Sequence, residues 1–177
     1  MVQRAGIVTA GNWIVDIVHD IPAWPDKSDL VVISNESVGV GGGAANIALN
    51  LAALDVNYPI FPLGLLGADE HGETVTRICR DAGLPVAGLS HMEGVSTAHT
   101  HVMNVPGDSR TFFYCPGANE HLGPAAVAVD SAIAQTCRLF YLGYFNLLPK
   151  LDAIAPHGTT GAAQVLRYAR AAGRTTC

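Results

Sequence analysis

The segment whose residue types point most directly to chemistry is Gly41-Gly42-Gly43-Ala44-Ala45-Asn46. Glycine has no Cβ, so a ligand can approach the backbone there, and a helix start leaves its first N–H groups without intrahelical partners. Asn46 falls in the first turn of such a helix. It carries both a donor and an acceptor, which suits a neutral hydroxyl better than a phosphate. A tight strand-to-helix turn would use the same glycines, so both readings stay open on composition alone. The spacing Gly39-x-Gly41-x-x-Ala44 also matches the dinucleotide fingerprint G-x-G-x-x-G/A. That fingerprint requires an acid about 20 positions on, at the tip of the next strand. Here the apolar run Tyr58–Leu63 ends in Gly64, and Asp55 precedes the run. The nicotinamide reading fails on context.

Other chemistry-bearing residues give weaker patterns. His99 and His101 alternate by two, so on a strand they share a face and would hold a metal only with a third ligand. Asp69-Glu70-His71 reads as helix entry, where acids favour the dipole, more than as an acid/base cluster. Arg110 has the reach and charge for a phosphorylated substrate, although hairpin arginines are commonly solvated. Trp13, Trp24 and Tyr144 suit either a pocket wall or packing. Cys79, Cys115, Cys137 and Cys177 are scattered without Cys-x-x-Cys spacing, so no zinc site or disulfide framework is expected. Reduced thiols in a cytoplasmic protein fit this pattern.

The elements that must position these residues are legible from periodicity. Gly6–Ala10 is a short apolar strand closed by Gly11, and Asp29–Val40 is a β-branched, partly alternating strand or hairpin arm. Ala44–Leu54 reads as a helix with broad apolar coverage. Tyr58–Leu63 reads as a strand, and Glu73–Ala82 as a helix capped by Gly83. Thr97–Val105 and Arg110–Cys115 flank Pro106-Gly107-Asp108-Ser109, a hairpin signal. Pro124 opens a predicted helix to about Gln135, Arg138–Leu142 is a strand, and Gly161–Ala172 is a helix capped by Gly173. Arg174-Thr175-Thr176-Cys177 would begin a further strand. Alternating strands and helices predict right-handed β-α-β units around a mostly parallel α/β sheet, with the hairpin-like regions in a separate small sheet.

Composition narrows the function classes. The 177 residues carry 10 Lys+Arg against 15 Asp+Glu, a formal charge of −5, which lacks the basic excess of a nucleic-acid binder. Hydrophobic residues make up 49% and charged residues 14%, which excludes a disordered chain. The weakly polar run Val38–Leu54 carries Asn46, Asn50 and several glycines, so no stretch reads as a membrane span. The N-terminal MVQRAGIVTAGNW has too short an apolar core for a secretion signal.

Taken in order, the motifs resemble a known family. GGGAANIALNLAAL with GLLGADEHG downstream looks like the N-terminal signature of ribokinase-like (PfkB-type) carbohydrate kinases. Gly11–Asp16 (GNWIVD) resembles the family's first strand and its substrate-facing aspartate. Ser96-Thr97 resembles the opening of a lid strand, GDSRTFFYCPGAN (107–119) the lid hairpin and the Gly-Ala-Asn after it, and Leu142-Gly143 the end of a substrate-side strand. The likeness runs over essentially the whole chain. It implies a doubly wound, three-layer (Rossmann-like, ribokinase-like) α/β fold. In that reading 1–177 is the N-terminal part of the domain, truncated at the C-terminus, with a small β-lid from strands within about 13–40 and 97–115.

The resemblance also implies roles. Asp16, Gly42, Gly43 and Asn46 are expected to contact a sugar or related polyol, with Asp16 accepting hydroxyl hydrogen bonds. Position 43 is Gly where ribose-preferring members commonly carry a longer side chain. The family's chemistry is in-line phosphoryl transfer from ATP with Mg2+, using an aspartate base in a D-T-x-G-A-G-D signature. No Asp here has that context, and no P-loop pattern G-x-x-x-x-G-K-[ST] occurs. The base and main nucleotide site are therefore expected beyond Cys177, and this chain alone is expected to be inactive. Two alternatives remain: a non-catalytic sugar-binding module or inactive truncated remnant, and a nucleoside kinase of the same family. A homodimer through the lid is a further expectation.

Overall fold

The computed structural model describes residues 5–127, 136–156 and 158–177. Among the described residues nine strands fall in two sheets. β1 (Ile7–Gly11), β4 (Ile60–Gly67), β5 (Leu89–Met92), β8 (Leu139–Gly143) and β9 (Thr175–Thr176) form a five-stranded sheet in the order β5-β4-β1-β8-β9. Every pairing in it is parallel. β2 (Ile14–Asp20), β3 (Asn35–Gly41), β6 (His99–Asn104) and β7 (Thr111–Cys115) form a four-stranded sheet in the order β3-β2-β6-β7. In this second sheet β2 runs parallel to β6, and the β2–β3 and β6–β7 pairs are antiparallel.

The parallel sheet is buried on both faces, as parallel sheets require. Side chains alternate along β1. Ile7 joins one core with Trp13, Ala44, Ala45, Ala48, Leu66, Val75 and Cys79, under α1 (Gly43–Ala53) and α2 (Glu70–Asp81). Val8 and Ala10 join the other with Phe140, Leu142, Leu151, Val165 and Ala169, under α3 (Pro149–Asp152) and α4 (Gly161–Ala171). The result is the three-layer α/β arrangement expected from strand–helix alternation. Alanines at 44, 45 and 48, all buried, bring α1 close against the sheet.

Three elements differ from the sequence reading, and a fourth falls mostly outside the described residues. β4 does not end at Gly64 but runs on to Gly67. Gly64 sits mid-strand because a Cβ there would strike the Trp13 indole, the largest fully buried side chain, whose Nε1 donates to the Leu63 carbonyl at 3.2 Å. β3 begins at Asn35 rather than Asp29, and Leu30, Val32 and Ile33 stay exposed outside any strand. The α2 helix starts one turn early, at Glu70, because Asp69 caps it by accepting from the Gly72 N–H at 2.9 Å. Pro124–Ala126 is a turn, and the rest of the helix expected to reach Gln135 lies outside the described residues. The 174–177 segment does enter a strand, with Thr175 opposite Leu139 on β8.

Candidate functional site

In open α/β sheets a crevice forms at the carboxyl ends of the strands where the strand order reverses. Here that point lies between β1 and β8, since the chain leaves β1 for β4 on one side and returns to β8 on the other. β1 ends at Gly11 and β8 at Gly143, and their backbones approach so closely that a Cβ at Gly11 would overlap the Gly143 carbonyl. The site is built around this junction.

Asn12 follows β1 and is fully buried. Its Oδ1 accepts two backbone bonds, from the Gly43 N–H at 2.9 Å and from the Tyr144 N–H at 2.9 Å. One amide oxygen thus ties the start of α1 to the end of β8. Gly42 has φ 96° and ψ 155°, a region open essentially to glycine alone, and a Cβ there would strike the Asn12 carbonyl. The turn itself therefore demands Gly42. The Gly43 N–H, expected to be open to a ligand, is already donated to Asn12. A Cβ at Gly43 would lie 2.9 Å from the Tyr141 hydroxyl and 3.1 Å from the Gly143 carbonyl carbon, which explains why no longer side chain stands at this position.

Asn46 lies one turn into α1, where its N–H reaches the Gly42 carbonyl at 2.9 Å, and its side chain is exposed. Asp16 sits on β2 between Gly39 of β3 and Thr100 of β6. Its carboxylate rests against Gly41, where a Cβ would overlap Oδ2. Burial pushes the Asp16 carboxyl above its ordinary value, while a hydrogen bond from Thr100 and the charge of Arg110 pull it down. The Arg110 guanidinium also stands 5.7 Å from the centre of the Phe112 ring. The structure thus gathers Gly42, Gly43 and Asn46 at one helix start and sets the Asp16 carboxylate against the adjoining glycine.

Three contributors were not anticipated: Asn12, Thr100 and Tyr141. Thr100 alone carried a usable signal, since it alternates with Ala98 and Val102 on a strand opposite a candidate acid. Asn119, in the 3-10 helix Gly117–His121, is a further buried link; its Nδ2 donates to the Trp13 carbonyl and the Tyr114 hydroxyl, each at 3.3 Å. Of the residues singled out for other chemistry, Asp69 is a cap that also accepts from the Thr97 Oγ1 at 2.6 Å and the Thr97 N–H at 2.8 Å. Trp13 is core, whereas Trp24 and Tyr144 are exposed.

A model of the pfkB family carbohydrate kinases matches residues 6–167. The chain belongs to that family. A curated relative, the ATP-dependent ribose-1-phosphate kinase of Halopiger xanaduensis, is 26% identical over 121 residues, covering 68% of this chain and 40% of that protein. The Arabidopsis thaliana ribokinase solved with ribose and ATP superposes with a TM-score of 0.77 at 22% identity, covering 99% of this chain and 53% of that one. The Xylella fastidiosa fructokinase gives 0.70 at 20% identity, over 97% of this chain and 49% of that one. These superpositions establish a ribokinase-like fold. The chain spans about half the length of the kinases it matches.

No P-loop occurs in the sequence, and among the described residues no group of three or more His, Cys, Asp or Glu is placed to hold a metal ion. Also among the described residues, no helix is long and apolar enough to cross a membrane.

Proposed function

We propose that this chain is the acceptor-binding half of an ATP-dependent sugar kinase, with the four-stranded sheet as its lid. In the whole protein a sugar hydroxyl receives the γ-phosphoryl group. The observation that carries the reading is the Asp16 carboxylate, half-buried, held by Thr100 and laid against the glycine corner that starts α1. A carboxylate accepts two hydroxyl hydrogen bonds, each contributing about 1.5–3 kcal/mol when charge-assisted. Asn46 supplies a donor and an acceptor from the helix side, and the glycines keep the corner free of side chains. The lid excludes water, a competing phosphoryl acceptor. The catalytic base and the ATP and Mg2+ sites lie outside these residues in this reading, so the chain by itself binds sugar but does not turn it over. Exposed Val38, Phe112 and Phe113 on the lid sheet are suited to a homodimer contact.

Arg110 favours a second reading of the acceptor, a sugar that already carries a phosphate. The guanidinium acts on the same carboxylate that would bind hydroxyls, and a named relative is a ribose-1-phosphate kinase. Calorimetry of the chain with sugars, sugar phosphates and nucleosides tests both readings. Binding that Asp16→Ala abolishes supports the site. Phosphosugar selectivity lost in Arg110→Ala supports the second reading, and nucleoside-only binding would replace both. No binding by any of these, or ATP-dependent turnover by this chain alone, overturns the proposal.

A further inference from the structure

Alternation gives the four-stranded sheet two chemically different faces. Asp16, Thr100 and Tyr114 are register partners and share one face. The opposite face carries an array of imidazoles. His19 on β2 is 6% exposed, and its Nε2 lies 2.9 Å from Nδ1 of His101 on β6. The two rings are nearly coplanar, at 13°, with centroids 5.2 Å apart. That separation exceeds the nitrogen–nitrogen distance by about two ring radii, so the rings lie end to end and the contact is an in-line N–H···N bond.

The remaining groups around the pair are specific. The other nitrogen of His19, Nδ1, is 3.1 Å from Glu36 Oε2 on β3, yet it has no aligned hydrogen-bond partner among the described residues. From β6 His99 meets His101 edge to face at 5.8 Å, from α2 His71 meets His99 at 5.2 Å, and on β7 Cys115 is the register partner of His99. A tetrahedral zinc bound at about 2.0–2.1 Å would hold two nitrogens roughly 3.3–3.4 Å apart with the metal off their axis. The in-line 2.9 Å geometry fits a proton instead.

We propose that His19 and His101 form a proton-operated latch between β2 and β6. The neutral pair holds two protons on four ring nitrogens and makes one N–H···N bond. A first added proton fills the open outer nitrogen, the proton already in the bond is then shared between the two rings, and the positive charge faces the Glu36 carboxylate, so the latch tightens. A second fills the last lone pair, leaves two N–H groups pointing at each other, and separates two like charges. The latch then opens and loosens the strand pairing that holds Asp16 beside Thr100 on the other face. Free imidazoles titrate in the range of about pH 5–8.

The test is 15N-imidazole NMR of the full chain across that range. The expected result is two coupled steps shared by His19 and His101. Glu36→Gln moves the upper step to lower pH. His101→Phe, or His101→Asn if the first variant fails to fold, collapses the His19 curve to a single step. Amide exchange in β2 and β6 of the native chain accelerates below the lower step beyond its intrinsic pH dependence. Independent single steps for the two histidines, or a His19 curve unchanged when His101 is replaced, would overturn the proposal, and so would exchange that stays flat through both steps.

Discussion

Replacing Asn12 with alanine tests the junction on which the site stands. The truncation removes an acceptor shared by two backbone N–H groups, those of Gly43 and Tyr144. Gly43 is buried, so its N–H is left without a partner at about 1–3 kcal/mol. Tyr144 is exposed, and water can reach its N–H, which reduces that loss to about 1 kcal/mol. The lost Nδ2 has no partner among the described residues, so its removal breaks no further bond. The sum is about 2–4 kcal/mol, a large share of the roughly 5–15 kcal/mol that stabilises a domain. Urea unfolding should show the loss as a lower midpoint with an unchanged slope, because the surface exposed on unfolding stays the same. In thermal unfolding it corresponds to a fall of about 5–15 °C. Sugar affinity should fall as well, since α1 and the end of β8 are no longer tied. A loss under about 1 kcal/mol would refute the assigned role, showing that water or backbone adjustment satisfies both N–H groups.

Asp16→Asn should leave the fold more stable at pH 7 while abolishing sugar binding. The folded-state carboxyl is raised above its unfolded value, so its ionised form opposes folding at neutral pH, and that opposition disappears as pH falls through the raised value. Thermal midpoints of both proteins at pH 7 and pH 4 check this, and the variant's advantage should shrink at the lower pH. Gly42→Ala and Gly41→Ala should separate stability from binding. The first forces a side chain onto φ 96° against the Asn12 carbonyl and costs about 1–3 kcal/mol in urea unfolding. The second meets only the movable end of Asp16, so calorimetry should show weakened sugar binding in a protein of near-normal stability. Asp69→Ala should lose about 1–3 kcal/mol through the α2 cap and the two bonds from Thr97. Burial raises the Asp69 carboxyl, but hydrogen bonds from Thr97 and Gly72 and the charge of His71 leave it below its ordinary value. Its contribution is therefore full above about pH 3.9 and is lost as pH falls through the lower folded value, so acid unfolding should be shallower in the variant.

The parts legible in the sequence are those whose determinants are local. The Ala44–Leu54 pattern names a helix because small and apolar residues recur at its period, and Pro106–Ser109 names a hairpin by turn chemistry. Gly64 misled because a mid-strand glycine and a strand-ending glycine look alike until the Trp13 indole that needs the space is in place. Leu30, Val32 and Ile33 carry strand-like residue types, yet among the described residues no strand pairs with them, since β3 meets β2 only from Asn35 onward. In the candidate site, the glycine corner and Asp16 were visible by type and order. Asn12 was not, because its role depends on partners 31 and 132 residues away. His99 and His101 were recognised as sharing a strand face, but the residue that completes their arrangement, His19, lies 82 positions from His101.

The two-faced character of the second sheet also sets what the chain can tolerate by way of length change. Strand side chains repeat every second residue, so adding or removing one residue within β2 would present carboxylate where imidazole stands, and imidazole where carboxylate stands. The connection from Ile21 to Ser34 has no such parity to preserve, and most of it is exposed. Insertions that leave the face carrying Asp16 unscrambled therefore have a natural home in that connection, and almost none in the seven residues before it.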